Sequence, residues 1–168
     1  MPLILETGTG LSNSNSYSDY DKFVAYHDAR RNTFADARGC IEAALIKATD
    51  YIDSMFDFRG CRMTTAQALE FPRSLASYDD GRRISGVPIE VEEACNEYAL
   101  RSLSSELAPD PTYSPSGAIV LESRKSIGPL SKFEKLGNAG NPAKIRSYPL
   151  ADRRLSKVTI NGQYVERA

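Results

Sequence analysis

The sequence predicts a mainly α protein: a small bundle of three main helices with a C-terminal extended arm that contains a β-hairpin. Three observations predict it. Over 41–57, Ile41, Ala44, Leu45, Ala48, Tyr51, Ile52 and Met55 recur at the spacing of one buried helix face. A second stripe of the same period, Val91, Ala94, Cys95, Tyr98, Ser102 and Leu103, follows Pro88. Beyond a Pro/Ser-rich stretch at 108–117 the pattern becomes extended, and Asn161-Gly162 between two β-prone runs is a type I′ hairpin signal.

Taken in order, Leu3-Ile4-Leu5 reads as a short strand or docking arm, and 8–15 as an irregular Gly/Ser/Asn loop. Gly8-Thr9-Gly10 lacks the Gly-Lys-Ser/Thr continuation of a phosphate loop. Ser18, with Asp21 behind it, is the expected N-cap of a first helix over 19–30, whose inner face carries Tyr20, Phe23, Val24 and His27. Phe34 pins the connector to the second helix. Thr64 caps an expected helical turn over 64–69, which Phe71-Pro72-Arg73 ends, since proline disfavours helix at the residue before it. The stretch 74–87 reads as an exposed loop with Arg82 and Arg83 near its tip. Pro88 is expected at the first position of the third helix, which runs to about Leu107, with Glu90, Glu92 and Glu93 suiting the helix dipole. Further on, 118–122 and 130–135 read as strands, 137–142 as a loop, 148–155 as a short helix, and 158–160 with 163–165 as the hairpin arms.

The 168 residues suit one domain plus an appendage: a helical body with an N-terminal arm over 1–117, and a basic, β-rich arm over 118–168. Charge follows the same division. Residues 1–117 hold 11 Lys/Arg against 18 Asp/Glu, and 118–168 hold 10 against 4. Such a split suits head-to-tail packing of subunits or an anionic partner. An arm this poor in large apolar groups needs another surface to order it, because isolated hairpins are marginal in water.

Catalytic and metal chemistry find little support. His27 is the only histidine and reads as a hydrogen-bonded core residue. Asp50, Asp53 and Asp57 share a helix face but lack a glycine-rich chelating loop. Cys40, Cys61 and Cys95 are odd in number and have no CxxC spacing, so reduced thiols are expected rather than zinc or disulfides. No nucleophile–base pair emerges by spacing. The expectation is no enzyme, no cofactor and no metal. No signal peptide or membrane-spanning stretch is visible.

Several runs carry a resemblance to known families. They are Gly8-Thr9-Gly10, Asn13-Ser14-Asn15-Ser16-Tyr17, Ala25-Tyr26-His27, the helix from Ala44 to Asp53, Phe58-Arg59-Gly60, Gln67 through Phe71-Pro72-Arg73, and Ile127-Gly128-Pro129-Leu130. Together they resemble a family of tailed-phage proteins labelled DnaT-like single-stranded-DNA-binding proteins, in which the aromatic-Pro-Arg element often has Trp where this chain has Phe71. The layout is also similar to that of tailed-phage head–tail connector, or adaptor, proteins, helical subunits that form a ring below the portal.

The two resemblances imply different functions. The connector likeness implies a structural protein of the virion at the head–tail junction, assembled in the host cytoplasm. Its partners would be further copies of itself in a homo-oligomeric ring (a dodecamer), the portal protein, a tail-side neck or tail-terminator protein, and genomic DNA passing through the channel, with no membrane. It accounts for the charge split and the poorly self-sufficient arm, and is the reading the sequence favours. The alternative is single-stranded-DNA binding in phage or host replication, which requires basic groups interleaved with exposed aromatics. The candidate interface, toward portal, neighbour or DNA, is Arg82, Arg83, Arg124, Lys125, Lys132, Lys135, Lys144, Arg146, Tyr148, Arg153, Arg154, Lys157 and Tyr164. Tyr51, Phe71, Pro72 and Arg73 are expected to be structural.

Overall fold

A computed structural model describes residues 2–110, 120–126, 131–136 and 146–160; for 120–126 and 131–136 the description is of the backbone. It is mainly helical, as the sequence predicts. Its helices are α1 (Tyr20–Asp28), α2 (Arg38–Met55), α3 (Ile89–Ser102) and α4 (Pro149–Leu155). Two antiparallel two-stranded sheets pair β1 (Cys61–Arg62) with β2 (Arg73–Ser74) and β3 (Val120–Ser126) with β4 (Ser131–Leu136).

The chain divides into two units. One comprises the described residues within Met1–Leu107 and Ser147–Val165, the other those within Ala108–Arg146. The sequence boundary at 117/118 assigned everything beyond it to the arm; in the structure the 147–160 segment belongs to the helical unit. One reason is a buried acid, and the Arg154–Glu93 ion pair is another. Asp152 is buried, accepts the Tyr148 N–H at 2.6 Å and the Ser147 hydroxyl at 3.3 Å, and takes the Tyr98 hydroxyl of α3. Tyr51, Tyr98 and Tyr148 then close into a ring cluster, with centroids 5.0–6.4 Å apart. Leu155 and Val158 are fully buried beside them.

α3 is the central element, packed against α2, α4 and α1. Ile41, Leu45 and Ile52 of α2 and Val91, Cys95 and Tyr98 of α3 are fully buried, as their periodicity predicts. Each large apolar side chain so buried contributes about 1.5–3 kcal/mol. Local corrections fall at element ends. The N-cap of α1 is Asp19, not Ser18: its carboxylate accepts the Lys22 N–H at 2.8 Å, while Ser18 is wholly buried. Pro88 caps α3 from an extended conformation one residue before the helix, which ends at Ser102 rather than near Leu107.

The stretch 64–69 is no helical turn. Thr64 and Gln67 cap each other instead, through Thr64 N–H to Gln67 Oε1 (2.9 Å) and Gln67 N–H to Thr64 Oγ1 (3.1 Å). The buried Gln67 amide also donates to Leu69 O and Pro72 O, holding the approach to Phe71. Phe71 is fully buried against Tyr17 and Phe58, and the Phe71–Pro72 bond is cis. Arg73 then ties the β1–β2 ribbon to its own entry. Its guanidinium donates to Arg59 O and Gly60 O, both at 2.8 Å, and pairs with Glu70. Gly60 has φ +76°, and a Cβ there would sit 2.3 Å from Ser74 O, so only glycine fits.

The 74–87 stretch is more ordered than a plain loop. Ser77 and Arg83 form an antiparallel bridge, Ile84 N–H donates to Ala76 O at 2.9 Å, and Ala76 and Ile84 are buried. In the second unit β3 and β4 form a ribbon with a register irregularity between Val120 and Glu122. The expected loop at 137–142 and the boundary stretch from 111 lie outside the described residues, as does most of the hairpin across Asn161-Gly162. The described start of that hairpin, Thr159, bridges Phe58 in the helical unit.

Candidate functional site

Most cations of the helical unit are already committed. Lys22 pairs with Glu92 at 3.0 Å, Arg30 with Glu93 at 3.4 Å, Arg38 with Glu42 at 2.8 Å, and Arg59 with Asp79 at 2.5 Å. Arg101 pairs with Glu97 at 2.5 Å, and Arg154 with Glu93. Among the proposed interface residues, Arg82 holds Asp80 at 2.7 Å and lies over the Tyr78 ring, and Lys157 reaches Glu90 at 3.8 Å. Arg154 is half-buried near the Tyr26 ring. Arg83 and Arg153 are exposed without an ion pair among the described residues, and Arg146 is exposed.

Tyr148 does not belong to any interface. It is buried, its hydroxyl donates to Leu107 O at 3.3 Å, and its ring is spent on Tyr51 and Tyr98. The same holds more widely. Every aromatic described in the helical unit is buried or half-buried. The aromatics left over are Phe133 on β4 and Tyr113 and Tyr164, the last two outside the described residues, as is Lys144.

The ribbon collects the remaining candidates. Its register sets Arg124 opposite Phe133, Lys125 opposite Lys132, and Lys135 opposite Glu122. Four Lys/Arg and two Glu thus occupy two short strands.

The groups that looked like chemistry in the sequence turn out to be architecture. Gly8-Thr9-Gly10 does gather N–H donors toward one point, as a phosphate loop does. The occupant is the chain's own Glu6. Its Oε1 accepts from Gly8, Thr9 and Gly10 at 2.9–3.0 Å, and its Oε2 from Leu11 N–H and the Ser14 hydroxyl, each at 2.9 Å. Burial pushes the Glu6 pKa up, but these donors outweigh it and hold the group below the ordinary carboxylate range. Nothing in the sequence flagged Glu6; the signal was the run of small residues that brings consecutive N–H groups together.

Asp53 leaves the acidic face of α2 altogether. It accepts the Tyr17 hydroxyl at 2.6 Å and the Glu70 N–H at 3.0 Å, and burial raises its pKa to about 6. Asp50 and Asp57 remain exposed. Among the described residues no group of His, Cys, Asp or Glu is arranged to hold a metal ion. His27 is fully buried. Its Nε2 lies 3.0 Å from Asn96 O, which can only accept, so Nε2 carries the proton and Nδ1 accepts from the Asn32 amide at 3.0 Å. Burial lowers its pKa, keeping the ring neutral. Cys95 is buried with its thiol pushed up to about 12, while Cys40 and Cys61 are exposed. No described helix is long and apolar enough to cross a membrane.

The family model described as "Putative DnaT-like ssDNA binding protein" matches residues 1–167. The chain belongs to this DnaT-like family. Neither a curated protein nor a solved structure matches it. The match overturns the head–tail connector reading: a description of single-stranded-DNA binding covers nearly the whole chain. The virion, neck, portal and ring assignments rested on a likeness of layout, and they go with it. The charge split that favoured a connector has another source in the DnaT-like chain. Arg154 and Lys157 neutralise Glu93 and Glu90 inside one unit, so part of the acid–base complementarity is internal to the subunit.

Proposed function

We propose that the protein binds single-stranded DNA. The family match over residues 1–167 carries this reading. Single-strand binders combine cations that follow the phosphate backbone with aromatics on which bases stack. The cation and aromatic inventory supports a site away from the helical core: that unit pairs most of its cations and packs its aromatics inward.

The test is a titration of fluorescently labelled oligo-dT against a duplex of equal length, at several salt concentrations. Tighter binding to the single strand, weakening as salt rises, is the expected result. Failure to bind oligo-dT at low salt, or a preference for duplex, sinks the proposal.

A further inference from the structure

Resting on the single-stranded-DNA reading, we infer that Arg30, Arg31, Arg153 and Arg154, on the surface of the helical unit and outside its core, form a phosphate-binding site for the strand. The fold brings two arginine doublets together. Arg30 and Arg31 lie just past the end of α1, and Arg153 and Arg154 lie on α4. Arg30 and Arg154 converge on α3, where both bind the Glu93 carboxylate, Arg30 at 3.4 Å. Both also stand over the Tyr26 ring, 3.5 and 5.7 Å from its centroid.

Two guanidinia carry about ten N–H donors, against about four acceptor sites on one carboxylate. Arg30 gives a further donor to Tyr26 O at 2.9 Å, but the Arg154 Nε is buried with no hydrogen-bond partner among the described residues. Neighbouring acids do not fill the gap. Glu97 takes Arg101 and the Tyr26 hydroxyl, Asp152 is turned to Tyr98 and Tyr148, and Asp28 is exposed. A phosphodiester supplies the missing acceptors through charge-assisted bonds. The other two arginines, Arg31 and Arg153, are exposed without an ion pair among the described residues. Arg31 also has φ 55°, the left-handed conformation that glycine adopts without strain past a helix end. An arginine there costs stability, and no ion pair in the fold offsets it. Arg62 and Arg73, which likewise share one acid, Glu70, differ in being used up locally. Arg62 donates to Gln67 O and Leu69 O, and Arg73 to Arg59 O and Gly60 O.

The experiment titrates the full chain with oligo-dT over a range of salt. Arg31→Ala/Arg153→Ala is compared with Arg38→Ala/Lys47→Ala, which removes the same charge from exposed positions of α2. Two lost single-strand phosphate contacts lower the slope of log K against log salt by about 1.4, or about twenty-five-fold in affinity at 0.1 M salt relative to 1 M. The expected result is that loss in the first variant, its recovery in Arg31→Lys/Arg153→Lys, and a near wild-type slope in the α2 variant. Circular dichroism should show the same helical signal in all of them. Arg31→Gly separates binding from folding: its slope should fall by about 0.7 while its urea midpoint holds or rises. A wild-type slope in the Arg31/Arg153 variant overturns the assignment alone, as does an equal loss in the α2 variant. A lower urea midpoint for Arg31→Gly would tie Arg31 to the fold instead of the strand and overturn its place in the site. Absence of wild-type binding overturns both this assignment and the function beneath it.

Discussion

The Tyr17 hydroxyl donates to Asp53 Oδ1 at 2.6 Å and accepts the Phe71 N–H at 3.1 Å. One oxygen therefore joins the N-terminal segment, α2 and the Phe71-Pro72 turn. Both the ring and the Phe71 amide are buried, so water cannot replace it cheaply. Tyr17→Phe should destabilise the fold by about 1–3 kcal/mol, the cost of an unmatched buried donor. It should also raise the Asp53 pKa further, because the Tyr17 bond favours the ionised carboxylate. Chemical denaturation of the variant checks the first point. Carboxyl NMR titration checks the second, and an Asp53 pKa that stays put or falls would contradict it.

Two carboxylates make opposite contributions to pH dependence. Asp53 titrates near 6 in the fold against an ordinary value of 3.8, so it favours the folded state most below 3.8, and that contribution is lost as pH rises through about 6. The span is about 3 kcal/mol. Glu6 is shifted downward, so its contribution is present above 4.5 and is lost as pH falls through its folded value. Asp53→Asn should remove the stability gained on going from pH 7 to pH 4. Glu6→Gln should remove the loss below pH 4. Urea midpoints between pH 3 and 7 test both, and identical profiles for the variants and wild type would refute the assignment.

Asp152 is the buried polar link from α4 to Tyr98 of α3, beneath the tyrosine cluster. Asp152→Ala should leave α1–α3 folded while the 147–160 segment loses protection. Hydrogen exchange should then show faster amides at Asp152, Ser156 and Val158, which donate within this segment. Uniform loss of protection across the whole unit would argue instead for one indivisible core.

The thiols should react in two classes. Cys40 and Cys61 are exposed, whereas Cys95 is buried with a thiol that ionises only near 12. A colorimetric thiol reagent at pH 8 should titrate two cysteines rapidly and the third only on unfolding. Rapid reaction of all three would show that α3 is not packed as described.

Periodicity made α1, α2 and α3 legible because their burial is carried by apolar side chains. Where burial is carried by polar groups, the sequence misleads. Asp53 reads as one of three acids on a shared helix face, and Glu6 and Asp152 pass unnoticed, yet Asp53 and Asp152 take the hydroxyls of Tyr17 and Tyr98, far off in the chain, and Glu6 is buried among the amides that follow it. Tyr148 reads as an interface aromatic because its neighbours are cationic; its ring points to Tyr51 and Tyr98 instead. Of the candidate interface, the sequence identifies the basic strand residues, but only the strand register sets Lys125 and Lys132 at opposed positions. Nothing local in Glu-Ser-Arg-Lys-Ser or Ser-Lys-Phe-Glu-Lys specifies that pairing.

Glu6 sits two residues ahead of the first donor it fills, within a segment that Ile4 and Glu6 tie to Asn15 and Ser16. Trimming the chain past residue 6 would strip the Gly8–Leu11 amides of their counter-charge. The truncated protein would then take up sulfate or phosphate from its buffer. DNA titrations made with it would report an artificial anion sink at the amino end, so an intact N-terminus is a condition for measuring where a DNA strand is held.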